Sequence, residues 1–399
     1  KQAVSDGFSN ALSSILDANI TTGVTALVLF VFGTGPIKGF ATTLLIGIMT
    51  SLFTAIFITR MLVENHISKS KLLNFSTSLT KNWLSNIGIS FLIKRRISYV
   101  VSGTFIIIGL SSLFINGLNQ GVDFVGGRSY VVRFEQPVSQ EKIQSNLIKV
   151  LGNAEVKTFG SDNQLKITTN YKVDTDSSDI DDEINNILYT DLIEFMPENI
   201  AYEDFVVNGD ENKQAGIMSS IKVGPTIADD IKKNSFYAVF GSLIIVFLYI
   251  LLRFKNWQFS LGAVSAVFHD VLVVLGIFSL TYSFMPFNME INQAFIAAVL
   301  TVIGYSLNDT VVVFDRIREY RNINTSWELP RVVDSALNST LSRTLNTSFT
   351  TLVVLISIFV FGGESIRGFM FALIVGVLIG TYSSVFVATP VMYDTLKNK

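Results

Sequence analysis

Eight stretches of the chain, at roughly 18–34, 38–59, 97–116, 235–252, 257–282, 291–314, 345–361 and 367–389, are almost continuously apolar. Crossing a bilayer takes about 20 such residues. In lipid the backbone must satisfy its own hydrogen bonds, so these stretches are predicted to be helices. The first and seventh end in Gly-bearing turns, Gly33-Thr-Gly-Pro36 and Gly362-Gly363, that lead straight into the next stretch, as in helical hairpins. Between 117 and 234 the pattern changes. Residues 129–134 alternate like a strand and 139–151 like an amphipathic helix. Two short strands, 155–159 and 164–169, flank a Gly-Ser-Asp-Asn turn. Residues 180–195 have helical spacing and 216–223 close as a strand. The order β-α-β-β-α-β is that of a ferredoxin-like sandwich.

The expected fold class is therefore a polytopic α-helical membrane protein with about eight transmembrane helices and one external α+β domain. The expected division is 1–62, two helices; 63–96, a linker; 97–116, one helix; 117–234, the α+β domain; and 235–399, five further helices. Composition agrees: 399 residues are 49% hydrophobic and only 16% charged, with a mean hydropathy of +0.47, against about a quarter charged in soluble chains. The absence of cysteine excludes disulfides and thiolate chemistry. A net charge of −2 gives no reason to expect a nucleic-acid partner.

That near-zero charge is a dipole. Residues 117–234 hold 11 basic and 20 acidic residues, a net of −9, which leaves +7 elsewhere. Most of the basic residues outside that segment fall in 60–96 (Arg60, Lys69, Lys71, Lys81, Lys94, Arg95, Arg96), in 253–256 (Arg253, Lys255), in 315–344 (Arg316, Arg318, Arg321, Arg331, Arg343) and at Lys397 and Lys399. If each apolar stretch crosses once, all four groups lie on one side. The positive-inside rule makes that side cytoplasmic, so 117–234 is external. The acidic run 174–183 lacks the spacing, Gly and closing Glu of a calcium loop, and reads as a solvated helix start.

Residues 20–60 align without gaps to 349–389 with about a dozen identities. Phe30-Val-Phe-Gly33 meets Phe359-Val-Phe-Gly362, and Ile37-Lys-Gly-Phe40 meets Ile366-Arg-Gly-Phe369. A shared turn followed by basic-Gly-Phe is evidence of duplication. The second copy ends a unit of six spans, so equivalent copies imply an upstream half with four spans and its own external domain. The start at Lys1 reads as the edge of a fragment. Halves of six spans point the same way, related by a pseudo-two-fold axis along the membrane normal.

A charge inside a span is a functional hypothesis. Asp309 lies within the sixth, flanked by Ser306, Asn308 and Thr310. A carboxylic acid in low dielectric can load and release a proton near neutral pH; the alternative is a structural hydrogen bond to a neighbouring helix. Arg343 enters the seventh span, either to pair with Asp309 and release its proton or to snorkel to the interface. His269-Asp270, in the fifth, is a relay element or a buried pair joining helices, and is too few ligands for zinc. Asp17, opposite Asn346 in the repeat, is a candidate for the opposing side of the Asp309 cluster. Asp315, Arg316, Arg318 and Glu319 read as a solvated helical extension. No nucleotide-binding loop or nucleophile triad is present, and Gly121-Val-Asp-Phe-Val-Gly-Gly127 does not fit a phosphate loop. The expected class is a transport protein rather than an enzyme, drawing on an ion gradient and no cofactor.

Asp17-Ala-Asn-Ile-Thr-Thr22 with Gly33-Thr-Gly-Pro-Ile-Lys-Gly-Phe-Ala41 resembles the end of SecD. Gly121-Val-Asp-Phe-Val-Gly-Gly127, Val223-Gly-Pro225 and Gly304-Tyr-Ser-Leu-Asn-Asp-Thr-Val-Val-Val-Phe-Asp-Arg-Ile-Arg-Glu319 resemble SecF. Together they resemble a fused SecDF polypeptide of the RND superfamily, cut inside its SecD half, with a bare linker at 63–96. The resemblance implies an accessory subunit of the Sec translocon in the bacterial inner membrane, with 117–234 periplasmic. It also implies proton-driven help in exporting unfolded preproteins, with the translocon channel, its accessory subunits and membrane lipids as partners. Asp309 and Arg343 match the family's proton-pathway positions, with Asn308, Asp17, Asp270 and His269 the further candidates. The partner aspartate and the large periplasmic head would lie upstream of Lys1. Sodium is the alternative coupling ion, and a passive scaffold or an exporter of lipids or small molecules the alternative function.

Overall fold

The computed structural model describes residues 2–33, 35–69, 88–175, 178–197, 200–207 and 213–397. Residues 70–87 of the expected linker, with Lys71 and Lys81, lie outside the described residues, as do Thr34, Asp176, Ser177 and Lys399. The chain opens with α1 (Gln2–Phe32) and α2 (Gly35–Phe53), which continues through a π-helical turn (Thr54–Ile58) into α3 (Thr59–Ser68). Helix α4 (Arg95–Ile115) then leads to the external domain. Its elements are α5 (Val122–Val125), β1 (Gly127–Arg133), α6 (Gln140–Leu151), β2 (Glu155–Phe159), β3 (Ser161–Thr169), α7 (Ser178–Leu192), α8 (Tyr202–Val206) and β4 (Gly216–Val223). The remaining helices are α9 (Pro225–Phe254), α10 (Trp257–Thr281), α11 (Gln293–Ile323), α12 (Leu329–Phe361) and α13 (Glu364–Ser383). A second π-helical turn (Ser384–Ala388) precedes α14 (Thr389–Lys397).

All eight apolar stretches form helices long enough to cross a membrane. Several outrun the apolar pattern. Helix α1 begins at Gln2 and α12 at Leu329, each about four turns before its apolar core. Nothing in the intrinsic propensity of those polar turns stops a helix, so the pattern marks the membrane depth rather than the helix ends.

The duplication is visible in three dimensions. Gly33 and Gly362 leave no room for a Cβ between equivalent neighbours, the Leu29 or Ile358 carbonyl and the Ile37 or Ile366 side chain. The rings of Phe40 and Phe369, equivalent residues, meet edge to face at 5.5 Å, which places both near the pseudo-two-fold axis. Both copies carry the π-helical turn, closed by Thr59 Oγ1 on the Thr54 carbonyl and Thr389 Oγ1 on the Ser384 carbonyl, each at 3.0 Å. These threonines are one residue out of step with the gapless alignment, so the copies slip by one residue beyond Gly47 and Gly376.

In the external domain the sheet order is β2-β3-β1-β4, antiparallel throughout, with β1 and β3 central. Ile143, Leu147 and Leu151 on α6, and Ile180, Ile184, Leu188 and Leu192 on α7, recur at helical spacing and pack on Val132, Phe134, Leu165 and Ile167 of one sheet face. The β2–β3 turn is tighter than the expected Gly-Ser-Asp-Asn, because β3 already starts at Ser161 and Gly160 alone takes a positive φ of 83°. Buried Arg128 on β1 reaches Asp181 on α7, which also accepts from Lys222 Nζ at 3.0 Å. Burial pushes the Asp181 carboxyl up, but the hydrogen bonds from Arg128 and Lys222 outweigh it and hold it below the usual carboxylate value. A depressed carboxyl contributes stability above its unfolded pKa of about 3.9 that is lost as pH falls through the folded value. Acid titration of domain unfolding is therefore expected to show a loss below about pH 4 that Asp181→Asn removes.

In the membrane, α10 and α11 are largely buried, whereas α2 and α12 expose most of their surface. Small residues set the packing of α11: Gly304 receives Thr22 and Thr25 of α1, and Gly376 of α13 receives Val302. Such positions let helices approach closely where lipid offers no hydrophobic drive between them.

Candidate functional site

Helix α11 is anchored at its start by Asn292, whose Oδ1 accepts from the Phe295 amide at 3.0 Å. Sixteen residues on, about 24 Å along the axis, it carries Asp309 into the bundle. The carboxylate is 1% exposed, and its Oδ1 accepts from Arg343 Nη1 of α12 at 3.1 Å. Its Oδ2 has no hydrogen-bond partner among the described residues, and neither do Asn308 Oδ1 and Thr344 Oγ1 nearby in sequence. Arg343 stays 42% exposed. The guanidinium thus makes the pair with Asp309 while remaining partly exposed. One carboxylate oxygen is held by a cation and the other is buried without a hydrogen-bond partner among the described residues.

A second buried carboxylate lies on α10. Asp270 Oδ1 meets His269 Nδ1 at 2.9 Å, and Oδ2 accepts from Ser306 Oγ of α11 at 2.6 Å and Ser383 Oγ of α13 at 2.7 Å. Three helices are tied by one carboxylate, the geometry of a buried polar pair joining helices. His269 Nε2 has no partner among the described residues. From Ser306 the hydroxyls continue cytoplasmically: Thr310 Oγ1 meets Ser384 Oγ at 2.9 Å, and Ser384 Oγ donates to the Ser306 carbonyl at 3.2 Å.

Asp17 requires a correction. It lies outside the Asp309 cluster. Arg253 Nε, at the end of α9, donates to both its oxygens at 2.8 and 2.7 Å, and Tyr249 Oη donates at 2.9 Å. Arg253 Nη2 also meets Asp315 at 3.4 Å, and Asp315 accepts from Arg318 at 2.8 Å. Asp315 is therefore part of a buried cytoplasmic ion network rather than a solvated extension, while Arg316 and Glu319 do form an exposed pair. The cause is helix periodicity: six residues separate Asp309 from Asp315, about 600° of turn, so the two carboxylates leave α11 on different faces. Sequence reasoning used Arg253 only as a topology marker. Its position at the mouth of a span, opposite an acid on another span, was the available signal.

A duplicated helical membrane unit with a carboxylate buried mid-span and an external α+β domain is the architecture of a membrane transport protein. The chain belongs to the SecD/SecF family of protein export membrane proteins. The family's C-terminal model, "Protein export membrane protein SecD/SecF, C-terminal", matches residues 1–69 and 205–398, and its "SecD/SecF GG Motif" matches 111–138. Protein translocase subunit SecF of Rhodothermus marinus is 44% identical over 310 residues, covering 77% of this chain and 94% of that protein. Protein translocase subunit SecDF of Brucella abortus is 35% identical over 396 residues, covering 98% and 48%. The crystal structure of SecDF, a translocon-associated membrane protein, from Thermus thermophilus superposes with a TM-score of 0.83 at 28% identity, covering all of this chain and 50% of that one. The chain spans nearly all of that SecF relative and about half the length of the fused SecDF relatives. It is a multi-pass inner-membrane protein with its sheet domain on the periplasmic side.

Proposed function

We propose that this chain is the SecF-like part of an accessory subunit of the Sec translocon that uses proton flow to help draw unfolded preproteins across the bacterial inner membrane. The observation that carries the reading is Asp309: a buried carboxylate with one oxygen on Arg343 and the other without a partner among the described residues. Protonated, the acid is neutral and leaves Arg343 free to seek water. Deprotonated, it recaptures the guanidinium. Each charge that crosses a 100 mV potential releases about 2.3 kcal/mol, to which a pH gradient adds. The proton is favoured over sodium as coupling ion because a bound sodium would have to share the carboxylate with a guanidinium 3.1 Å away. Translocon association is supported by the translocon-associated SecDF relative, and the lipid-facing surfaces of α2 and α12 fit a membrane partner. The test is proton uptake by vesicles carrying full-length protein, read with an enclosed pH dye, for wild type and Asp309→Asn. Loss of uptake is expected; unchanged uptake and export would leave the passive scaffold in its place.

A further inference from the structure

The external domain connects covalently to α4 and α9, and it is also bonded at several points to the loop that feeds α11. The Gly121 amide donates to the Ile291 carbonyl at 2.9 Å, and the Ile291 amide to the Asn119 carbonyl at 2.7 Å, a short parallel bridge between the two segments. Two residues further on, Asp123 Oδ2 accepts from the Gln293 amide at 3.0 Å, the first residue of α11. From the sheet itself, Lys166 of β3 reaches down to Glu290, a pair that is almost wholly buried. Glu290 in turn lies against Gly121, where a Cβ would sit 3.2 Å from Oε2.

The Gly-rich segment makes this grip stiff. Helix α5 buries Val122 and Phe124 in the apolar cluster that includes Ala228 and Ile231 of α9. Gly126 and Gly127 then turn the chain at positive φ, 74° and 129°, directly into the central strand β1. A Cβ on Gly127 would meet the Thr169 carbonyl at 2.6 Å, so neither the conformation nor the space admits a side chain. Only three residues separate Asp123, on the end of α11, from the sheet.

We propose that residues 119–127, with Lys166 and Glu290, form a clamp that makes the sheet domain and the periplasmic end of α11 one mechanical unit. Asp123 and Glu290 are its positioning residues. Movement of the domain is delivered to α11, and so to Asp309 about 24 Å away along a continuous helix, alongside its direct connection into α9, on which α5 packs. The inference rests on the proton-driven reading above.

The test uses full-length protein in a cysteine-free background. Asp123→Ala combined with Lys166→Met opens the clamp at two points while leaving Asp309 and Arg343 in place. Export is expected to fall by about tenfold, within the usual range of coupling between distant sites, while dye-reported proton flux per molecule persists. Asp123→Asn, which keeps an oxygen to accept from Gln293, should restore most of the export lost in Asp123→Ala. A short bis-maleimide bridge between Lys166→Cys and Glu290→Cys, formed in the Asp123→Ala background, should restore it as well. Undiminished export in the double variant overturns the clamp, and so does a parallel fall of export and proton flux that neither rescue reverses. Asp309→Asn run alongside separates the two ideas: if it conducts protons normally the proton-driven reading has failed, whereas loss of flux there with no effect of Asp123→Ala and Lys166→Met fails the clamp alone.

Discussion

Vesicles carrying full-length Asp309→Asn are expected to take up protons no faster than vesicles without protein. The substitution is close to isosteric, and Asn Oδ1 can still accept from Arg343 Nη1, so packing of α11 against α12 should survive and thermal unfolding in detergent should move little. What is lost is the oxygen that exchanges a proton. Removing a positioned acid–base group typically costs about 10²- to 10⁴-fold, which would put the residual flux below leak. Arg343→Met should behave differently. It leaves a buried carboxylate with no cation, which favours the neutral acid, so the proton loads but is released slowly. A flux that falls less than in Asp309→Asn and recovers as the pH inside the vesicles is raised is the expected signature. Arg343→Lys is not a conservative control, because an ammonium on a flexible stem cannot reproduce the planar guanidinium's reach and hydration. Wild-type flux in Asp309→Asn would remove Asp309 from the pathway altogether.

The membrane architecture was legible because lipid imposes a one-dimensional rule: about 20 apolar residues make a span, and Lys/Arg bias makes the side. The α+β domain was legible for a similar reason, since Ile143, Leu147 and Leu151 repeat at helical spacing and 129–134 at strand spacing. Asp309 and Arg343 stood out because a charge in lipid demands a partner, and few were on offer. The partner of Asp17 did not stand out. Arg253 is 236 residues away, and which helix faces which is set by small-residue contacts such as Gly304 against Thr22 and Thr25, which hydropathy does not encode. The clamp was hidden for another reason. Two of its bonds join only backbone groups of Asn119, Gly121 and Ile291, which carry no side-chain signature, and the other two join Asp123 to Gln293 and Lys166 to Glu290, residues 170 and 124 positions apart. The one-residue slip at the π-helical turns belongs with these: it changes a helix's hydrogen-bond register while leaving its apolar content intact.

Arg253→Met is expected to destabilise the bundle by about 3–5 kcal/mol, the usual cost of removing one partner from a buried charge network. Arg253 is the hinge of that network, touching acids on two other helices: Asp17 on α1, by Nε at 2.7 and 2.8 Å and by Nη2 at 2.5 Å, and Asp315 on α11 from 3.4 Å. Among the described residues Asp17 would keep Tyr249, and Asp315 would keep Arg318 but lose its contact with Arg253. Both carboxylates are nearly buried, at 7% and 11% exposed, so water cannot take over. The loss should be read as a fall in the thermal midpoint in detergent, with α1 separating from α9 and α11 first. Neutralising the opposite charge distinguishes a lost ion pair from lost packing. Asp17→Asn added to Arg253→Met should recover part of the midpoint, because replacing a buried pair by neutral groups of similar size is often close to neutral. Arg316→Met, which breaks the exposed contact with Glu319, should cost no more than about 1 kcal/mol. If Arg253→Met and Arg316→Met shift the midpoint equally, the cytoplasmic network does not hold α1 to the rest of the bundle.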